Sequence, residues 1–551
     1  GLKSTTFLGL NLYQMTRIGQ NPDYYGYLWD RQMGVGAISA HKGAKESGKS
    51  LMDKYTYQSL NFYERLSYDF ARNGHRLGVT AAYYLSSVAR TGQSSLDRQQ
   101  NAIGTVSYSY GGRYLVEGVV DYAGSSRFRK GHRYDVFPSA GLGWVVSEEA
   151  FMQEADWVDF LKIRGQIGVL GYEDFGAQYL YEWYYQKQSG PTFGPSSLGS
   201  SSPWLGTGNY VSNKTTLQRL GNPDLTWEKR RELSVGFDAQ LFSRRLYVSA
   251  TYFRSKRDGI ITSMTGNLPL YWGLRNVAVY ENHNASLQQG VEAAFRFGGR
   301  TGDFGYSVGA SFAFRKSKYL RYDESYTYAY QAVKGTALDA YRGYVYLGKF
   351  ASAEEIASSP SQAAYATEFP LKPGDIKFKD LNGDRVIDDN DKCWYGNPTV
   401  PEIIYGFGFS LKYKGFDCSA FFQGQGKVSI IMYDSHPFGT KATPGGGLMQ
   451  WMADEHWREE APDPNARYPR LSPEWNTNNT QANSLYVRNG RMLRLKNAEI
   501  GYTYKFMRVY VSGTNLLTFS PFKYWDPEKG SGNGLSYPLQ RTCNLGFQFT
   551  F

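Results

Sequence analysis

Residues 380–391 read DLNGDRVIDDND. Asp380, Asn382, Asp384, Asp388 and Asp391 fall at positions 1, 3, 5, 9 and 12 of a short loop, and Val386 at position 7 would offer its carbonyl. This EF-hand-like spacing lets one loop place about six oxygens around a hard cation such as Ca²⁺. Two positions depart from it. Arg385 stands at position 6, where glycine suits the sharp turn, and Gly383 lies two residues earlier. Asp391 is shorter than the usual glutamate and a poorer bidentate ligand. The plainer reading is a hydrated acidic turn held by Asx-type hydrogen bonds.

Aromatic clusters supply the second set of candidate binding residues. They are YLYEWYYQ (179–186), LYWGL (270–274), MYDSHPF (432–438), QWMADEHW (450–457) and YWDPE (524–528). Aromatic faces stack on sugar rings or grip a peptide, while neighbouring carboxylates and amides take hydroxyls and backbone groups. Trp183, Trp272, Trp451 and Trp457 are the candidate ligand contacts. The competing role for any one of them is to anchor a loop or to sit in a membrane-interface belt.

Covalent catalysis finds no footing. Six His residues are scattered, with neither HExxH nor GxSxG, and GSSRF (124–128) does not open a helical pattern. Cys393, Cys418 and Cys543 have no CxxC or His-paired spacing, so neither a disulfide framework nor a zinc site is expected. The chain reads as a non-enzyme. Its net charge of +11 is mild for 551 residues and comes without a nucleic-acid-binding motif, so no nucleic-acid partner is expected.

The elements that must hold these loops are strands. Gly (61) and Tyr (46) are abundant and aromatics reach 16%, which suits pleated surfaces rather than helices. No run of about 18 apolar residues offers a transmembrane helix. Period-2 alternation recurs instead. In 404–413, Tyr405, Phe407, Phe409, Leu411 and Tyr413 oppose Gly406, Gly408, Ser410 and Lys412. The pattern predicts sixteen strands: 5–14, 60–70, 75–87, 101–110, 113–123, 139–147, 160–170, 231–241, 245–255, 290–298, 303–315, 404–413, 416–428, 494–506, 507–518 and 541–551. Most have the length that crosses a bilayer at a tilt of about 45°.

Connection lengths separate a membrane barrel from a soluble sandwich. Short links (72–74, 111–113, 242–245, 298–303, 414–416) alternate with long ones (15–59, 171–230, 256–289, 316–403, 429–493). Tight turns at one end and long loops at the other are the arrangement of an outer-membrane barrel. One short-side link, 147–160, is expected to form a single helical turn. The polar face is rich in Gly and Ser, as where side chains crowd a lumen. Phe551 then ends the last inward strand in the aromatic belt at the short-turn rim. The expected fold is an all-β transmembrane antiparallel barrel with long external loops.

Several stretches resemble the SusC/RagA-like family of TonB-dependent outer-membrane transporters of Bacteroidota. These are VDYAGSSRF (120–128), FPSAGLGWVVSEEAFM (137–152) and LKIRGQIGVLG (161–171). GNPDLTWEKRRELSVGFDAQLFSRRLYVSATYF (221–253) and PGDIKFKDLNGDRVIDDNDK (373–392) follow in order. LRLKNAEIGYTYKF (493–506), RVYVSGTNLLTF (508–519), YWDPE (524–528) and the terminal Phe551 complete the set. The resemblance implies a 22-stranded barrel with a plug domain and a TonB box, of which residues 1–551 form the C-terminal barrel part, without plug or TonB box. It implies that 316–403 is an external loop carrying the acidic motif. It also implies uptake of an oligosaccharide, or a peptide, with a SusD-like surface lipoprotein, and energy from TonB–ExbB–ExbD through the plug. Outer-membrane lipid is then the surrounding partner. A terminal Phe is the usual assembly signal in this family. The alternative is a passive sixteen-stranded porin.

Overall fold

A computed structural model describes residues 1–19, 25–30, 37–42, 50–92, 96–176, 179–193, 210–264, 271, 277–367, 369–432, 439–440, 443–444, 449–472 and 476–551. Sixteen long strands carry the fold. They are β1 (Leu2–Gly19), β2 (Ser50–Arg72), β3 (His75–Arg90), β4 (Asp97–Tyr110), β5 (Tyr114–Ser125) and β6 (Tyr134–Val145). Next come β7 (Val158–Tyr172), β8 (Glu228–Leu241), β9 (Leu246–Ser263), β10 (Ala278–Thr301) and β11 (Phe304–Arg321). The series ends with β12 (Ile403–Tyr413), β13 (Phe416–Gly426), β14 (Met492–Tyr504), β15 (Met507–Phe519) and β16 (Thr542–Phe549).

Each strand pairs antiparallel with the next in chain order, from β1 on β2 through to β15 on β16. A hairpin, Tyr184–Phe193 with Tyr210–Leu220, joins at the long-loop end through Arg219 and Leu220 beside Ala278 and Val279. Among the described residues, β1 registers only with β2 and β16 only with β15.

All sixteen expected strands are present, and several run further. β2 spans 23 residues and β10 spans 24, so their loop ends extend beyond the expected alternating cores. Pattern reading stops where apolar residues stop, whereas hydrogen-bonded pairing continues into polar sequence. At the other end the strands turn tightly. Asn73 and Gly74 sit at φ 49° and 80°, and Lys414 and Gly415 at 44° and 90°. Two consecutive left-handed residues match the twist of the flanking strands. The link after β6 differs from expectation. It forms two separate 3₁₀ turns, Val146–Glu148 and Ala150–Met152, because Glu149 between them is extended at ψ 147°.

The apolar face of the sheet is exposed rather than packed on a second sheet. Val106, Val116, Val120, Val136, Leu142, Val235, Phe407, Leu545 and Phe547 all lie on it. Aromatics fringe this band at both ends. Tyr110, Tyr114 and Trp144 stand side by side at the tight-turn end. Tyr83, Tyr122 and Tyr134 stand at the long-loop end, with Tyr122 stacked on Tyr134 at 5.3 Å. From Tyr114 to Tyr122 is about 27 Å along the strand at ~3.4 Å per residue. At a tilt of about 35–45° that length spans roughly 20 Å of height between the two sets of rings, and an exposed apolar belt edged by aromatic rings is the arrangement a hydrocarbon layer requires. Phe551 lies in the lower ring, its side chain 6.4 Å from those of Phe506 and Phe549.

Candidate functional site: the lumen wall and the loop cap

The opposite face of the strands carries paired polar groups. Arg164 on β7 donates from Nε to Asp238 Oδ2 at 2.9 Å and from Nη2 to Thr251 Oγ1 at 2.6 Å, which ties three strands. Arg508 on β15 donates to Asp417 at 3.0 Å and to Glu499 at 2.7 Å. Asn101 on β4 donates to Asp121 Oδ2 at 2.9 Å. Partly buried charges of this kind persist when a partner and hydrogen bonds satisfy them. Asp121, Arg164 and Asp238 are among the polar-face residues that find partners.

Toward the long-loop end the wall opens into a recess of about 650 Å³ lined by Arg90, Asp97, Gln99, Asp121, Trp227 and Glu232 among others. Glu173, just past β7, lies at its edge. Burial pushes the Glu173 carboxyl above its ordinary range, against the pull of Ser125 and Arg127. Hydrogen-bonding groups of both polarities beside an aromatic floor suit an amide- or hydroxyl-rich ligand.

At the long-loop end, the described residues of three connections (322–402, 427–491 and 520–541) fold together. They share a buried core of Tyr344, Ile376, Phe378, Ile387, Ile430, Met432, Tyr468, Leu485, Tyr486 and Phe522. Short pairings brace the first two internally, Tyr346–Lys349 with Ile376–Phe378 and Ser429–Ile431 with Val487–Asn489, and a bridge between Tyr344 and Asn483 joins one to the other. A polar pin completes the join. Buried Asp375 accepts from Asn476 and Asn479 Nδ2, each at 2.9 Å, and Asn478 Nδ2 donates to the Ile376 carbonyl at 2.9 Å. Gln362 bridges Ile376 and Phe378 through their backbones at 3.0 and 2.8 Å. Sequence reading overlooked this pin. Its signal is the run NTNN (476–479), side chains that satisfy backbone groups where no ladder reaches.

The acidic loop lies within this cap. Asp380 accepts from the backbone N–H groups of Gly383 and Arg385 at 2.6 and 2.9 Å. Asp384 accepts from Val386 N at 2.8 Å, and Asp388 caps Asn390 N at 2.7 Å. Buried Asp391 accepts from Leu381 N and Asp388 N at 2.7 and 3.0 Å. Arg385 adopts φ 64°, the left-handed geometry that position 6 of a calcium loop needs. Donor types, spacing and backbone turn therefore suit a hard cation. The carboxylates themselves face backbone amides, and no group of three acidic, His or Cys side chains converges as a metal cluster among the described residues.

The candidate tryptophans occupy different environments. Trp457 is buried, with its ring against Gly374, where any Cβ would stand 2.2 Å from it. Trp451, on the helix Gln450–Glu455, packs on Tyr468 at 5.2 Å and Tyr524 at 4.8 Å. These two brace the cap. Trp183 is exposed and stacks parallel to Tyr185 at 6.5 Å, which leaves a broad aromatic face open. Trp272 lies outside the described residues. Cys393, Cys418 and Cys543 are free thiols.

Comparisons place this architecture. No family model matches the chain. TonB-dependent receptor P26 of Formosa agariphila is 28% identical over 499 residues, covering 81% of this chain and 46% of that protein. TonB-dependent receptor SusC of Bacteroides thetaiotaomicron is 25% identical over 474 residues, covering 81% of this chain and 43% of that protein. The chain thus spans less than half the length of these curated relatives. In fold it is similar to the RagAB peptide importer in its closed-closed state, with a TM-score of 0.68 at 16% identity over 100% of this chain and 60% of that one. Its relatives are receptors and not enzymes. The exposed apolar belt is therefore the surface that meets the hydrocarbon of the outer membrane, and the chain is similar in sequence to TonB-dependent receptors, SusC among them, and in fold to the RagAB peptide importer.

Proposed function

We infer that this chain builds the barrel wall and outer mouth of a TonB-dependent nutrient importer. Its cargo is a polar oligomer, an oligosaccharide or a peptide. The observation that carries this reading is the loop cap: three long connections fold together around their own core at the long-loop end of the sheet, the end toward which the polar face of the wall opens into a recess. Cargo would rest between this cap and a SusD-like surface lipoprotein, held by aromatic faces such as Trp183 and by lumen hydrogen-bonding groups. Release inward would be powered by TonB–ExbB–ExbD acting through a plug domain, with residues 1–551 serving as the C-terminal barrel part of a larger receptor.

Among the described residues, the register of β1 runs along β2 and that of β16 along β15, with none between β1 and β16, which supports this over a self-contained porin that closes its first strand on its last. The test pairs two measurements. Cells lacking the receptor are complemented with it and scored for TonB-dependent growth on oligosaccharide or peptide as sole carbon source. Residues 1–551 alone are placed in a planar bilayer. Growth restored only with TonB, and no steady conductance, is the expected result. A stable ion-conducting pore formed by residues 1–551 alone would favour passive diffusion.

A further inference from the structure

The loop between β5 and β6 contains Arg127, Arg129, Lys130, His132 and Arg133 within seven residues. Arg127 is engaged, bonded to Asp97 and Asp174 at 3.2 and 2.9 Å. Arg129 and Lys130 are exposed, and among the described residues no carboxylate pairs with either. Arg98 joins them from the lipid-facing side. Register sets its direction: Arg98 lies opposite Ser87, and Gln100 opposite Leu85 and Gly124, with Gly124 opposite Tyr134. Side chains alternate along a strand, so Arg98 and Gln100 share the face of Tyr83, Tyr122 and Val106. They stand one step beyond the upper aromatic ring, where hydrocarbon gives way to headgroups.

A recess of about 750 Å³ opens on this outward surface, lined by Ser87, Arg98, Gln100, Ser126, Arg133 and Tyr134 among others. Its lining holds two arginines and no Asp or Glu. Gln100 is hydrogen-bonded to both Tyr83 and Tyr134, which fixes an aromatic floor. A concave, acid-free, guanidinium-bearing surface at headgroup height is built to receive an anion, since Arg presents a planar fork that fits phosphate oxygens. Exposed bases near a membrane surface add further attraction.

We propose that this recess binds the phosphorylated headgroup of an outer-leaflet glycolipid, with Arg98 of its lining on the phosphate, Arg129 and Lys130 reaching in from the adjoining β5–β6 loop, and Tyr134 against the sugar or upper acyl chain. The recess lies away from the cap and backs onto the lumen recess, with which it shares Ser86, Arg98, Gln99 and Ser125, and it would clamp the β3–β6 wall to its lipid surroundings.

The test uses the receptor purified in detergent, exchanged with phosphorylated lipid A or its dephosphorylated form, and weighed by native mass spectrometry. The wild type is expected to retain the phosphorylated lipid in preference to the dephosphorylated one. A triple variant, Arg98→Ser with Arg129→Ser and Lys130→Ser, is expected to retain it at least about tenfold less well. The matching Lys variants, with Arg98→Lys and Arg129→Lys, should keep most binding, which guards against misfolding of the Ser variant. Lys414→Asn with Lys505→Asn, at the opposite rim, should bind as the wild type does. Equal retention by the triple variant, indifference to the phosphate, or an equal loss in the opposite-rim variant would overturn the proposal. Full displacement by excess inorganic phosphate would assign the recess to a free anion and overturn the lipid assignment.

Discussion

Arg470 closes on Asp375 across two different loops, with Nε 2.8 Å from Oδ1 and Nη2 donating to Oδ2 at 3.2 Å. The Asp375 side chain is 1% exposed and the Arg470 side chain 16%. The pair joins the PGDIKF stretch to the segment after Trp457, while Asn476 and Asn479 also donate to Asp375 Oδ1 and the Lys372 N–H to Oδ2. Removing one partner leaves a buried charge uncompensated, which costs about 3–5 kcal/mol. Arg470→Met is therefore expected to loosen the cap by about that amount while the strands below stay intact. Hydrogen exchange should rise across 343–378 and 476–487 and remain slow in β12 and β13. Uniform protection across the cap in the variant would show that the core holds it without the pin.

The two faces of the sheet should answer substitution in opposite ways. Val106 sits on the exposed apolar belt and Gln166 on the lumen side. Val106→Arg is expected to destabilise the bilayer-inserted protein by about 2–4 kcal/mol, the cost of a midplane arginine on a lipid-facing strand. Gln166→Arg should change stability by less than about 1 kcal/mol, because the lumen hydrates the charge. Denaturant unfolding in vesicles reads both, and equal costs would contradict the assignment of faces.

Acid should soften the cap before the strands. Hydrogen bonding from the Ala351 backbone, then from Lys377, holds the Glu355 carboxyl below its ordinary range. The Lys392 ammonium does the same for Asp389. A carboxyl depressed in the folded state favours folding fully above its unfolded pKa, about 4, and loses that contribution as pH falls through the lower folded value. Protease nicking within 351–392 is therefore expected to increase below about pH 4. Glu355→Gln should show part of that nicking already at neutral pH. A nicking rate that is flat between neutral pH and about pH 3 would contradict it.

The calcium proposal for Asp380, Asn382, Asp384, Val386, Asp388 and Asp391 makes its own demand. Their carboxylates already accept backbone N–H groups, so a cation must draw oxygens away from bonds such as Asp384 with Val386. Weak binding follows, in the range of about 10⁻⁴ to 10⁻³ M seen for extracellular modules. Calcium is expected to slow exchange at 380–391 in the wild type and to have no effect in Asp384→Ala. Arg385→Gly should tighten binding, since it removes the left-handed strain at φ 64°. A wild-type loop that ignores calcium throughout this range would remove the cation and leave the Asx turn.

The strands were legible because their period is two and one face must be greasy along its whole length. Phe547 and Phe549 announce the exposed belt as clearly in the sequence as in the fold. The alternation of short and long links likewise fixes which end carries the loops. Sequence periodicity is a local property, and a local pattern can report only local geometry. It reported nothing about Trp457, which reads as one more loop aromatic and is buried against Gly374. Nor did it join Asp375 to Arg470 and Asn479, about a hundred residues away, or set Arg98 beside Ser87 at the lipid surface. Those placements depend on which loops pack together and on strand register, and only the folded sheet and its shared core determine them.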